Sequence, residues 1–185
     1  TVRLGGDHIT SDIAKGLQIP YSTAERIKTY YGGVHATGRD DREIIEIGSD
    51  SGDWDKDRRT ITRSELIGIM RPRVEEILEE VRARLDVAGF DHLPSQQIVL
   101  TGGASQIPGL DGLAAKILGQ QVRLGRPIRV QGLPQAATGP SFSAIVGLCQ
   151  FAACPQDEWW DFDIPAQRFA ARPLKRAMKW FKDNW

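Results

Sequence analysis

Leu100-Thr101-Gly102-Gly103-Ala104-Ser105-Gln106-Ile107-Pro108-Gly109-Leu110 is the stretch on which the reading of this chain turns. An apolar run over 97–101 reads as a short strand, the glycine pair as a tight turn, and 108–118 as a helix stopped by Gly119. At such a turn backbone N–H groups stand free and a ligand can approach with no Cβ in its way. Gly102, Gly103, Ala104 and Ser105 are therefore candidate ligand contacts, although α/β folds also use such turns for packing alone. The stretch is neither G-x-G-x-x-G nor a lysine-bearing phosphate loop, and Gly103-Ala104-Ser105-Gln106-Ile107 misses the second glycine of a nucleophile elbow. A serine hydrolase is disfavoured.

Upstream, Asp7 can cap a helix over 8–17, where Ile9, Ile13, Ala14 and Leu17 fall at helical spacing and Gly16 lies near the end. After Pro20, Ser22 and Glu25 have capping-box spacing and predict a second helix that stops at Gly32-Gly33. Residues 43–47 read as a strand and 48–59 as an exposed loop. Thr62 and Glu65 form another capping box at the head of about 25 residues of amphipathic helix, with Ile67, Met70, Val74, Ile77, Val81 and Leu85 on one stripe. Pro72 lies inside it and predicts a kink or break near Met70. Downstream, 121–124 and 128–130 read as short extended pieces around Pro127, and 141–153 as an apolar helix ended by Pro155.

The composition is that of an ordinary globular protein: 185 residues, 41% hydrophobic, 26% charged, with 24 Lys+Arg against 24 Asp+Glu. Zero net charge removes the global attraction that most nucleic-acid binders use, and the arginines at 58, 59, 71 and 73 are interleaved with acids rather than aromatics. No nucleic-acid partner is expected. Cys149 and Cys154 sit in an apolar run, read as core, and suit a reducing compartment; they and His8, His35 and His92 lack metal-ligand spacing. No metal site is expected. No stretch is apolar for the 18 to 20 residues that a spanning helix needs, roughly, and no signal peptide opens the chain. The abrupt start without an initiator Met predicts a piece of a longer protein.

From 156 to 171 the chain is acidic and aromatic without helical or strand period, which reads as a linker. The last 14 residues differ. Leu174, Ala177, Met178, Phe181 and Trp185 form one stripe on a helical wheel; Lys175, Arg176, Lys179 and Lys182 fill the opposite arc, and Trp180 sits at the edge. Pro173 suits a first turn. Such a helix, about four turns long, is marginal alone in water and needs a surface on which to fold. A membrane surface fits better than docking on the chain's own body, because a long acidic linker precedes the helix and its outer face is basic. Each basic residue near an anionic leaflet contributes about 1 kcal/mol, which gives reversible attachment that several copies on a polymer would strengthen.

Four features together carry a resemblance: Gly5-Gly6-Asp7-His8-Ile9-Thr10-Ser11-Asp12-Ile13-Ala14, the helix over 22–32, the 100–110 stretch and the basic amphipathic end. In order and spacing, along nearly all 185 residues, they closely resemble the C-terminal half of the actin-like FtsA family of bacterial cell-division proteins. The resemblance implies an α/β chain of actin/Hsp70-like ATPase fold. In it 1–94 would be the small lobe of the second half and 95–155 part of the large lobe, followed by a linker over 156–171 and a membrane-binding helix over 172–185. It implies that Gly102, Gly103, Ala104 and Ser105 contact adenosine and the α-phosphate, and that Glu25 and Lys28 reach the ribose and base. It further implies that Arg59, Arg73 and Glu76 hold the C-terminal tail of the tubulin-like FtsZ.

The phosphate loops and the metal-coordinating carboxylate that the family places in its first half are absent from this sequence. Mg-ATP is thus expected on the full-length protein and weakly or not at all on this chain, with no hydrolysis from it. The implied role is a non-enzymatic, ATP-dependent, self-assembling adaptor that holds FtsZ filaments on anionic lipid, at the cytoplasmic face of the inner membrane at the division site, and helps recruit other divisome proteins. The rivals are an actin-fold kinase or chaperone ATPase, which would not explain the linker and basic terminus, and another actin-like scaffold for cell shape or pilus assembly.

Overall fold

The computed structural model describes residues 1–47, 59–90, 97–128, 130 and 132–153. The linker and the amphipathic end, with Leu174, Lys175, Arg176, Met178, Lys179, Trp180, Phe181, Lys182 and Trp185, lie outside the described residues, as does Cys154.

Two helices open the chain, α1 over Gly6–Leu17 and α2 over Tyr21–Tyr31. Gly5 rather than Asp7 holds the N-cap of α1, and Asp7 falls in the first turn, where its charge suits the helix dipole. The helix ends at Leu17 as expected, and Gln18 caps it in the left-handed region (φ 53°). The capping box expected at Ser22 does not form: α2 starts from Pro20, and the Glu25 carboxylate is taken by other partners, described below. Gly32 terminates α2 as expected.

An antiparallel pair follows, β1 over Ile44–Ile47 and β2 over Arg59–Thr62, with Ile45 opposite Ile61. Arg59, expected in a loop, is thus the first residue of a strand; residues 48–58 are not among those described. The 25-residue helix α3, Arg63–Val87, starts on the expected capping box: the Thr62 hydroxyl accepts from the Glu65 amide at 3.2 Å, and the Glu65 carboxylate accepts from the Thr62 amide at 2.8 Å. The break expected near Met70 is absent, and α3 runs through Pro72. The carbonyl that loses its donor there belongs to Gly68, which is exposed and can be hydrated. The buried stripe is Leu66, Ile67, Met70, Val74 and Leu78, whereas Ile77, Val81 and Leu85 are half-buried.

The third segment is a β-α-β unit. Strand β3, Gln97–Leu100, pairs in parallel with β4, Gln121–Leu124, and α4, Leu110–Leu118, makes the crossover. Gly119 in the left-handed region ends α4 as expected. Of the second extended piece, 128 and 130 are irregular and 129 is not described. Helix α5, Ser143–Ala153, follows a short 3-10 turn.

Residues from α1 (Ile9, Ile13, Leu17), α2 (Ala24, Ile27), the β1–β2 pair, α3 and α4 (Leu110, Leu113, Ala114) form one buried cluster. Helix α5 behaves differently: only Val146 is buried, while Ile145, Leu148 and Phe151 are mostly exposed. Cys149 is exposed too, so its reading as core is wrong; its helix is apolar all round, and composition does not say which face is covered.

Candidate functional site

The glycine turn and the start of α1 and α2 face each other across a cleft of about 740 Å³, within the range of small-molecule sites. Gly102, Gly103, Ala104, Glu25 and Lys28 all line it, together with Gly6, Asp7, Thr29, Thr101 and Gln106. Five of the six residues expected to touch a nucleotide are therefore brought together from two segments, 25–28 and 102–104.

Ser105 is the exception. It is buried, and its hydroxyl donates to the Gly102 carbonyl at 2.7 Å, so it braces the turn from behind. Gly102 stands at φ 93°, ψ 171°, a backbone region essentially reserved for glycine. Its amide, expected free, donates to the Pro140 carbonyl at 3.1 Å; a 3-10 turn then begins at Gly103. On the floor of the cleft small residues meet: a Cβ on Gly6 would stand 3.4 Å from that of Ala104. A side chain at position 6 would pack directly on Ala104 and Lys28, so glycine there keeps α1 close to the turn.

The wall carried by α1 and α2 is a compact polar cluster. Lys28 Nζ donates to Glu25 Oε2 at 2.6 Å, to Thr10 Oγ1 at 2.7 Å and to the Gly6 carbonyl at 3.3 Å. Thr10 donates to Glu25 Oε2 at 2.5 Å. Burial by itself would raise the Glu25 carboxyl, but the hydrogen bonds from Lys28 and Thr10 and the lysine charge outweigh it and hold the carboxyl below its ordinary value. The resemblance pointed to Glu25 and Lys28 but not to Thr10, Asp7 or Gln106. The partners of Thr10 and Gln106 are distant in the chain, so no local pattern marks them: Thr10 meets Glu25 across 15 positions, and Gln106 donates to the Ser141 hydroxyl at 2.6 Å across 35.

The second group of expected residues lies along α1 and α3. Arg59 donates to the Leu17 carbonyl at the end of α1, at 3.0 Å. Arg73 binds Asp12 through Nε at 2.5 Å and Nη2 at 3.2 Å, and pairs with Glu76 through Nη1. The bond to Asp12, with its charge and that of Glu76, raises the already high pKa of this guanidinium. Asp12 and Leu17 are both on α1, about 7.5 Å apart along the axis at 1.5 Å per residue, so Arg59 and Arg73 are anchored to one helix. Arg73 and Glu76 retain partly exposed side chains, at 26% and 55%.

Comparison with known proteins agrees with this architecture. Residues 1–147 match the family described as "Cell division protein FtsA". The FtsA cell division protein of Rhizobium meliloti is 45% identical over 148 residues, covering 80% of this chain and 33% of the relative. That of Pseudomonas aeruginosa is 31% identical over 189 residues, covering 100% of this chain and 45% of the relative. The chain thus spans between a third and a half of the length of these curated relatives. Among solved structures, MreB5 of Spiroplasma citri bound to AMPPNP superposes with TM-score 0.58 at 18% identity, over 82% of this chain and 44% of that one. The fold is actin-like, and the chain belongs to the FtsA family of cell division proteins.

Proposed function

We propose that this chain is the part of an FtsA protein that ties FtsZ filaments to the cytoplasmic face of the inner membrane at the division site. The observation that carries the reading is the pattern of 172–185, an apolar stripe backed by Lys175, Arg176, Lys179 and Lys182, at the end of a chain of this family. The tail of FtsZ docks on the face that presents Arg73 and Glu76, with Arg59 beside it; a mixed-charge pair three residues apart on α3 suits a peptide of mixed charge. Self-association multiplies weak membrane contacts into stable attachment, and further divisome proteins assemble on the polymer.

ATP with Mg governs that assembly in the whole protein. This chain supplies the adenosine side of the cleft, through Gly102, Gly103, Ala104, Glu25 and Lys28. The bound nucleotide adds triphosphate charge for the rest of the protein to clamp; these side chains hold and orient sugar and base. The chain alone is not an enzyme.

Co-sedimentation with vesicles tests the tether. The full chain is expected to pellet with anionic lipid and far less with neutral lipid, and a chain ending at Ala171 or carrying Phe181→Glu or Trp185→Glu is expected to stay in solution. Equal binding by all four would remove the reading.

A further inference from the structure

Thr10 is completely buried, yet it sits at the centre of the polar wall of the cleft. The protons in that wall can be counted. An ammonium has three donors and no acceptor, and Lys28 finds three acceptors: Glu25 Oε2, Thr10 Oγ1 and the Gly6 carbonyl. The Thr10 hydroxyl has one proton, with two acceptors in reach, Glu25 Oε2 at 2.5 Å and the Gly6 carbonyl at 3.1 Å. The shorter, charge-assisted bond to the carboxylate is the stronger. Lys28 is therefore spent inside the wall, and its side chain is only 10% exposed, whereas that of Glu25 is 45% exposed and lines the cleft.

We propose that Thr10 is a positioning residue: accepting from Lys28 and donating to Glu25, its hydroxyl fixes one oxygen of Glu25 inward, so that the carboxylate meets the cleft as an acceptor for a hydroxyl-bearing ligand, the sugar of a nucleotide. The proposal rests on the nucleotide reading of this cleft. It changes the role of Lys28 from a ligand contact to a counter-ion for Glu25. The other charged group lining the cleft is Asp7 on α1; the glycine turn opposite contributes none.

The test follows the Glu25 carboxyl carbon by NMR across a pH titration of the full chain, for Thr10→Val, Thr10→Ala and Thr10→Ser. Removing the hydroxyl, as either Val or Ala does, is expected to move Glu25 up toward its ordinary value of 4.5, while Ser, which keeps the hydroxyl, holds it low. Either hydroxyl-free variant decides the matter if the other does not fold. Millimolar adenosine 5′-monophosphate is then titrated while the amides of residues 102–104 are followed. Loss of the hydroxyl is expected to weaken binding about tenfold, and Ser to restore most of it. Wild-type titration of Glu25 in the hydroxyl-free variants would overturn the role of Thr10. Absence of any shift with the wild-type chain would instead count against the nucleotide reading, leaving the carboxyl titration to decide on Thr10.

Discussion

Asp40 is buried at the junction where the loop after α2 meets the start of α3. Its carboxylate accepts from the Thr37 hydroxyl at 2.8 Å and amide at 2.5 Å, and from Arg63 at 2.9 Å. The Thr37 bonds foremost, then the arginine, hold it below the ordinary value of 3.8. A carboxyl depressed by folding stabilises the folded state above its unfolded pKa, and that contribution is lost as pH falls through the folded value. Asp40→Asn is therefore expected to lower the thermal unfolding midpoint at neutral pH, with the gap from wild type closing as the pH drops below 3.8. A gap that stays constant across that window would show that the charge of Asp40 is not what matters. The Arg63 partner, 23 positions on, carries no signal in the sequence because the packing sets it. The pair Glu25 and Lys28 was legible through the resemblance, while Thr10 and Asp12, which bond to Glu25, Lys28 and Arg73, gave no local signal.

At the scale of elements, two segments with the same capping spacing had different fates. Thr62 and Glu65 cap α3 as their spacing says, because both side chains are free to turn back on the helix end. Ser22 and Glu25 do not cap α2, because Thr10 and Lys28 claim the Glu25 carboxylate and Pro20 already starts the helix. Tertiary demand overrode a local rule at the candidate site, where such conflicts are expected. Thr62→Ala is expected to cost about 1 kcal/mol in urea unfolding, with the α-helical circular dichroism of the native state retained; no measurable cost would mean that packing of Leu66 and Met70 alone fixes the start of α3. Pro72 was misread for a similar reason: the expected break presumes that the freed carbonyl has no partner, whereas solvent can reach Gly68.

For the whole molecule, α1 is the element that both sites share. Gly6 and Asp7 in its first turn line the cleft, Thr10 behind them braces Glu25, and Asp12 and Leu17 further along hold Arg73 and Arg59. The same helix buries Ile9, Ile13 and Leu17 in the core. The overall α/β order was readable because strand, glycine turn and helix punctuate the sequence between 97 and 119. The extent of burial on α5 was not, because an apolar helix carries no mark of which neighbour covers it.

The central claim is that one chain joins lipid to filament. The direct measurement is recovery of a fluorescent FtsZ C-terminal tail peptide on anionic vesicles, with the full chain, with the chain ending at Ala171, and with Arg73→Glu. The account predicts peptide on the vesicles only with the full chain, and Arg73→Glu bound to lipid but leaving the peptide in solution. Peptide recovered equally with Arg73→Glu, or left in solution while the wild-type chain sits on lipid, would contradict it.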